Sequence, residues 1–256
     1  MVRAVTTADT RNLARRLKAI RDPRMRMVAM ARYLSTEGYD HVVEVLHHLV
    51  ETSLTHSDPA YGGAADALIA ALQDPDLLGY DVRAELYTSA KAAGYSEVAR
   101  LFFGATPHAT LDRKTLEAME PERQVVPRGR TLTLGERKSL ARSHRREMLI
   151  HILTDPHPAV VTVLLDNPHI TESDVVTMAA RRPCPPESLE TICMHSRWRV
   201  RYAIRRALVL NPHTPALAAI RLTTTLRRSD LQHVARDSGL NQEVRDQAEE
   251  LLKLLL

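Results

Sequence analysis

Along most of the chain, apolar residues recur at helical spacing, and runs of polar or turn-forming residues separate the apolar groups. Leu13, Leu17 and Ile20 define one face of a short amphipathic helix over 12–20, with Arg15, Arg16 and Lys18 outside that face. The apolar face is expected to pack on the next helix. Basic amphipathic helices also lie on anionic lipid, but this one is short and carries neither Trp nor Phe. After Asp22-Pro23 come two similar units, VAMARYLSTEGYDHVVEVL (28–46) and AELYTSAKAAGYSEVARLF (84–102). Each predicts a helix, a tight turn at Gly-Tyr and a second helix. Gly38 and Gly94 would supply a left-handed C-cap, and Tyr39 and Tyr95 would pack back on the helices. Residues 1–104 therefore read as a helical-hairpin domain. Over 105–134 the periodicity lapses among three prolines and a glycine, which predicts a linker or extended strap, although RTLTL at 130–134 alternates as a strand does.

The second half repeats itself. Asn167-Pro168-His169 recurs as Asn211-Pro212-His213, forty-four residues on. Leu149, Ile152, Leu153 and Asp155 align with Leu189, Ile192, Cys193 and His195, then with Leu231, Val234, Ala235 and Asp237; Val160, Val200 and Val244 follow in register. This predicts helices over 158–166, 172–181, 186–195, 198–210, 214–225, 228–237 and 241–255. Pro156, Pro168, Pro183 and Pro212 are expected to begin helices, since a missing N–H costs nothing in a first turn. The C-terminal Leu251, Leu252, Leu254, Leu255 and Leu256 should dock on preceding helices or on a second copy of the chain.

Composition narrows the class. Apolar residues make up 44% and charged residues 26%, as in a folded domain, while aromatics at 4% leave the core to Leu, Val, Ile, Ala and Met. The expected fold class is all-α: a helical-hairpin N-terminal region over 1–104 and a helical repeat region over 135–256. Net charge is only +4 but uneven. Residues 1–32 carry +7, 33–127 carry −9, 128–206 carry +6 and 207–256 are neutral. Such a pattern suits protein partners at least as well as a polyanion. Cys184 and Cys193 are too few for a disulfide framework or a four-thiolate site, which predicts a reducing, cytoplasmic setting. No apolar run is long enough to span a bilayer, so no transmembrane segment is expected.

Three resemblances follow from these motifs. The unit at 84–102, with its LY…A…GY spacing, resembles one tetratricopeptide helix-turn-helix junction. RWRVRYAIRRAL (197–208) and NQEVRDQAEELL (241–252) resemble the VR..A...L helix of HEAT repeats, within a three-helix period similar to armadillo repeats. The wording NPH…TESDVV…AARRP also resembles leucine-rich-repeat-variant proteins, some of which carry a four-cysteine iron–sulfur site that this chain lacks. The HEAT resemblance implies that the arginine after the valine pairs with an aspartate of the preceding repeat. It thereby makes Asp155, Arg201 and Arg245 inter-repeat residues, with Asp155 to Arg201 as one rung. Trp198 would fill the gap between repeats.

On a helix over 198–210, Val200, Ile204, Ala207 and Leu208 would be buried. Arg197, Arg201 and Arg205 would follow at i, i+4, i+8 on another face. Arg197, Arg199, Arg205 and Arg206, joined by Arg181, Arg182 and Arg221, are the candidate surface for an acidic protein partner or, as the alternative, for nucleic acid. Other constellations point to no chemistry. Glu44-x-x-His47 has the spacing of one half of a di-iron site, with His41 and His48 nearby, but no second Glu-x-x-His completes it. There is no glycine-rich phosphate loop, GxSxG or HExxH. The expectation is therefore no catalytic residue, no cofactor and no metal. The chain reads as a non-enzymatic solenoid adaptor, with a HEAT-like nucleic-acid binder as the alternative.

Overall fold

The computed structural model describes residues 2–56, 58–104 and 132–256, and the side chains from residue 7 onward. Among them are fifteen helices and no strand, so the fold is all-α. The expected linker lies outside the described residues over 105–131. Its last residues do not form a strand: Thr133 and Glu136 build a capping box that starts a helix at Leu134.

The helices divide into two compact units, Met1–Thr106 with Ala216–Leu256, and Pro107–Pro215. The first unit holds α1 (Val2–Ala19), α2 (Pro23–Thr36), α3 (Tyr39–Thr55), α4 (Pro59–Gln73), α5 (Tyr80–Ala92) and α6 (Ser96–Ala99). The second holds α7 (Leu134–Ala141), α8 (Arg146–Ile152), α9 (Pro158–Asp166), α10 (Glu172–Ala180), α11 (Pro186–Met194) and α12 (Tyr202–Val209). α13 (Ala216–Thr223), α14 (Arg228–Arg236) and α15 (Gln242–Lys253) return to the first unit, whereas the sequence pattern had continued them from the repeats before them.

In the first unit α4 is the centre. Asp58 accepts a hydrogen bond from the Ala60 N–H at 2.8 Å and Pro59 opens the helix, so its start is fixed locally. Ten of its fifteen residues are buried, because AADALIAAL offers small apolar side chains on every side. α1, α2, α3 and α13 pack around it, and α15 packs on α14, α13 and α6. Gly94 takes φ +80 as expected, and the Tyr95 and Gly94 N–H groups bond to the Ala90 and Lys91 carbonyls at 2.9 and 3.2 Å to close a Schellman turn. Gly38 differs. It is extended at φ −65 and stands as the N-cap of α3, so the two Gly-Tyr sites are not the same turn. At the C-terminus Leu251 is fully buried, Leu252, Leu254 and Leu255 are half-buried, and Leu256 is exposed.

In the second unit α7, α9 and α11 form one packed row, and α10 packs on α12 in another. Helix bounds match the sequence pattern closely through α11, then slip. The helix expected at 198 begins at Tyr202, because Arg197–Val200 form a turn that drives Trp198 inward. Trp198 is 3% exposed while Val200, placed by the repeat register in the core, is 44% exposed. Pro156, Pro168 and Pro212 lie in turns ahead of their helices rather than at first positions, which Pro23, Pro59, Pro158 and Pro186 occupy.

Candidate functional site: a basic loop edge

The repeated Asn-Pro-His sites are side-chain staples between helices. Asn167 follows α9 and donates to the Ala141 and Ser143 carbonyls at the end of α7, at 2.8 and 2.9 Å. Asn211 follows α12 and donates to the Ala179 and Arg181 carbonyls at the end of α10, both at 2.8 Å. In each the side-chain oxygen accepts from the histidine N–H two residues on, at 2.8 Å for His169 and 3.1 Å for His213. Both asparagines are buried. They satisfy helix-end carbonyls that would otherwise face the core unpaired. Asp155-Pro156-His157 forms the same turn, its Oδ1 accepting from the His157 N–H at 2.9 Å. A carboxylate cannot donate to carbonyls, so Asp155 instead receives Arg137, at 3.1 and 3.2 Å.

The contacts at Asn167, Trp198 and His195 bring three loops to one edge: 142–145, 167–171 and 195–201. Trp198 Nε1 donates to the Leu165 carbonyl at 2.8 Å, and His195 Nε2 lies 3.1 Å from Asp166. Exposed on this edge stand Arg142, Arg145, Arg197 and Arg201, with Asp166 and Glu172 between them. Arg146 reaches Asp174 through two hydrogen bonds of 2.5 Å each. That guanidinium, with Thr171, holds the Asp174 carboxyl at about 2.

The arginines expected to bind a partner separate into different roles. Arg205 is buried and its Nε donates to the Arg199 carbonyl at 2.6 Å. Arg221 is buried in the first unit, donating to the Leu101 carbonyl at 2.9 Å. Neither side chain stands at a surface, since both are buried with Nε on a backbone carbonyl. Arg181 is half-buried, and burial lowers its pKa. Arg182 is exposed and donates to the Leu210 carbonyl. Arg199 is half-buried, while Arg197 and Arg206 are exposed, with Arg197 lying 4.3 Å over the Trp198 ring.

The implied rung from Asp155 to Arg201 is absent. Arg201 stands just outside α12 as its N-cap and lies 4.0 Å from Glu172 instead. Arg245 bonds within its own helix, to Gln242. Of the expected inter-repeat set, Trp198 bonds to the Leu165 carbonyl of α9, and Asp155 pairs with Arg137 of α7. Burial raises the Asp155 pKa, against the lowering pull of the His157 N–H and of Arg137.

The histidines of α3 disperse to separate carboxylates: His41 to Asp9 at 3.5 Å, His47 to Glu97 at 2.6 Å and His48 to Glu51 at 3.2 Å. Tyr95 stacks on His47 at 4.2 Å. Among the described residues no group of three or more His, Cys, Asp or Glu is placed to hold a metal ion. Both cysteines are free and buried, and burial pushes Cys184 to about 11 and Cys193 to about 12. Cys184, although it lies in a loop, is thus shielded. Among the described residues no helix is long and apolar enough to cross a membrane. Arg142 and Arg145 were missed because RSHRR lies outside the aligned repeat positions; its charge density was the available signal.

Comparison with models of known families, with curated proteins and with solved structures finds no significant match to this chain.

Proposed function

We propose that the chain is a non-enzymatic adaptor, built as a HEAT/armadillo-like helical repeat in the cytoplasm, that binds a protein with an acidic surface. The observation that carries the reading is the loop edge of the second unit. There the repeat satisfies its own buried polar groups with Asn167, Trp198 and Arg146, while Arg142, Arg145, Arg197 and Arg201 remain exposed. Repeat stacks offer extended edges of this kind to partners. Asp166 and Glu172 interrupt the arginines, which favours the mixed charge of a protein over a continuous polyphosphate. The alternative, nucleic acid, loses its stacking platform because Trp198 is buried beneath Arg197.

The test is the triple variant Arg142→Glu/Arg145→Glu/Arg197→Glu in the full chain. A protein captured by wild type from the native cell should be lost by the variant, and labelled duplex DNA should not displace it near physiological salt. DNA or RNA binding that the variant abolishes, with a steep salt dependence, would replace the adaptor reading by the nucleic-acid one. Base excision on alkylated DNA at ordinary enzyme concentration would overturn both.

A further inference from the structure

A groove of about 830 Å³ runs between α1 and α2 in the first unit. Its floor is apolar. Leu13 and Leu17 from α1 lie at the bottom, and Met25 and Val28 from α2 form the open wall, 60% and 40% exposed. On α2 the groove residues Met25, Val28, Ala29, Arg32, Tyr33 and Thr36 follow helical i, i+3, i+4 spacing, which is the stripe a core-facing helix normally buries. The opposite stripe, with Met30, Ala31 and Leu34, already packs inward, so α2 is apolar on two sides. A helix of ordinary amphipathic pattern has one such side.

The charges around the groove have one dominant sign. Arg16 on α1 and Arg32 on α2 line the groove from opposite helices, both exposed, and the turn between the helices carries Arg21 and Arg24 with Asp22, the N-cap of α2, between them. Glu37 is the acid lining the far end. Met25 to Thr36 span about 16 Å at the helical rise, the length of about three turns. We infer that this groove receives an amphipathic helix of about three turns from a partner protein, with apolar anchors on one face and acidic residues on both flanks to meet Arg16 and Arg32. A lipid surface fits less well, because Leu13 and Leu17 are sunk at 6% and 2% exposure in a concave site that a flat bilayer does not enter. The inference adds a second surface to the adaptor reading and rests on that reading for the existence of a partner.

The probe is a pair of side-chain-stapled helical peptides of about fourteen residues, sharing leucines at i, i+4 and i+7 and carrying either Glu or Lys at the flanking positions. Fluorescence anisotropy with the full chain should show binding of the Glu peptide about tenfold or more tighter than the Lys peptide at low salt, with the ratio shrinking as salt rises. Arg16→Glu/Arg32→Glu should reverse the preference. Val28→Asp, at an exposed position, should lose the Glu peptide with helical content unchanged by circular dichroism. Equal affinity for the two peptides, or undiminished binding to Val28→Asp, overturns the inference. So does cosedimentation with phosphatidylglycerol vesicles that Val28→Asp abolishes while neither peptide binds. The Arg142→Glu/Arg145→Glu/Arg197→Glu variant leaves the groove intact and should bind the Glu peptide as wild type does. If the peptide fails on wild type while that variant still loses the captured protein, the groove inference falls and the adaptor reading stands.

Discussion

The two units differ in what their helices are arranged around, although both close carbonyls with buried polar side chains, Arg221 and Gln247 among them in the first. The first is organised around α4, whose Ala64, Ala71 and Leu72 are completely buried. The second, among its described residues, has no helix buried to that extent. Its short helices are tied end to end by polar side chains, with Asn167, Asn211 and Trp198 closing helix-end carbonyls and Arg137 closing Asp155. A core of the first kind tolerates changes that preserve volume and apolarity. A core of the second kind depends on particular donors, because an unpaired buried carbonyl or carboxylate has no apolar substitute.

That contrast can be tested by substitutions read out through hydrogen exchange, which localises the loss to one unit. The largest effect is expected at the buried ion pair. Arg137→Ala should cost about 4 kcal/mol at neutral pH by leaving Asp155 charged and buried. Without its cation Asp155 gains a proton more readily still, since burial already raises its pKa, so the penalty should shrink as pH falls. A penalty unchanged by pH would show that the loss is one of packing.

Next comes Leu72→Ala in α4, which should cost about 3 kcal/mol through lost burial and a residual cavity, and should loosen the first unit alone. Asn211→Ala should cost about 1–3 kcal/mol, confined to the second unit, because two carbonyls lose their donor. Asn211→Asp should cost more, placing an acceptor against acceptors. If Asn211→Asp is as stable as wild type, the staple is not a structural requirement.

A smaller effect separates the charged pairs. Asp174 titrates near 2 in the fold, below its ordinary value, so its pair with Arg146 stabilises above about pH 4 and is lost as pH falls from there toward 2. Asp174→Asn should flatten that part of the acid-unfolding curve and leave the neutral-pH slope unchanged. Smallest of all, Arg201→Ala should change stability by no more than about 0.5 kcal/mol, since Arg201 and Glu172 are both exposed and 4.0 Å apart.

Legibility followed the same divide. The bounds of α9 were readable because PAVVTVLLD carries its own starting proline and a clean apolar stripe. α4 was not delineated: in AADALIAAL Asp66 is the one polar residue, so its periodicity carries little signal even though ten of the fifteen residues of the helix are buried. The Asn-Pro-His recurrence was visible, but its role depends on which carbonyls come near, and only packing supplies that. Of the arginines in RWRVRYAIRR, Arg197 and Arg206 are exposed, whereas Arg205, expected on the partner-binding surface, is buried with its Nε on the Arg199 carbonyl. Of the candidate site, charge was legible and exposure was not. The α1–α2 groove was hidden for a related reason, since the exposure of Met25 and Val28 depends on which helices pack beside α2.

The returning C-terminal helices set an order of events during synthesis. The second unit closes its carbonyls with residues 24 to 33 positions away, so its internal bonds can form as soon as residue 211 clears the ribosome. The first unit begins earlier and finishes later. The Leu101 and Glu97 carbonyls wait for Arg221 and Gln247, 120 and 150 residues downstream. A nascent chain stopped at Pro215 therefore holds the whole second unit but lacks α13 against α4 and α15 against α6. Of the two units, the one whose translation starts earlier is the one that must be sheltered longer.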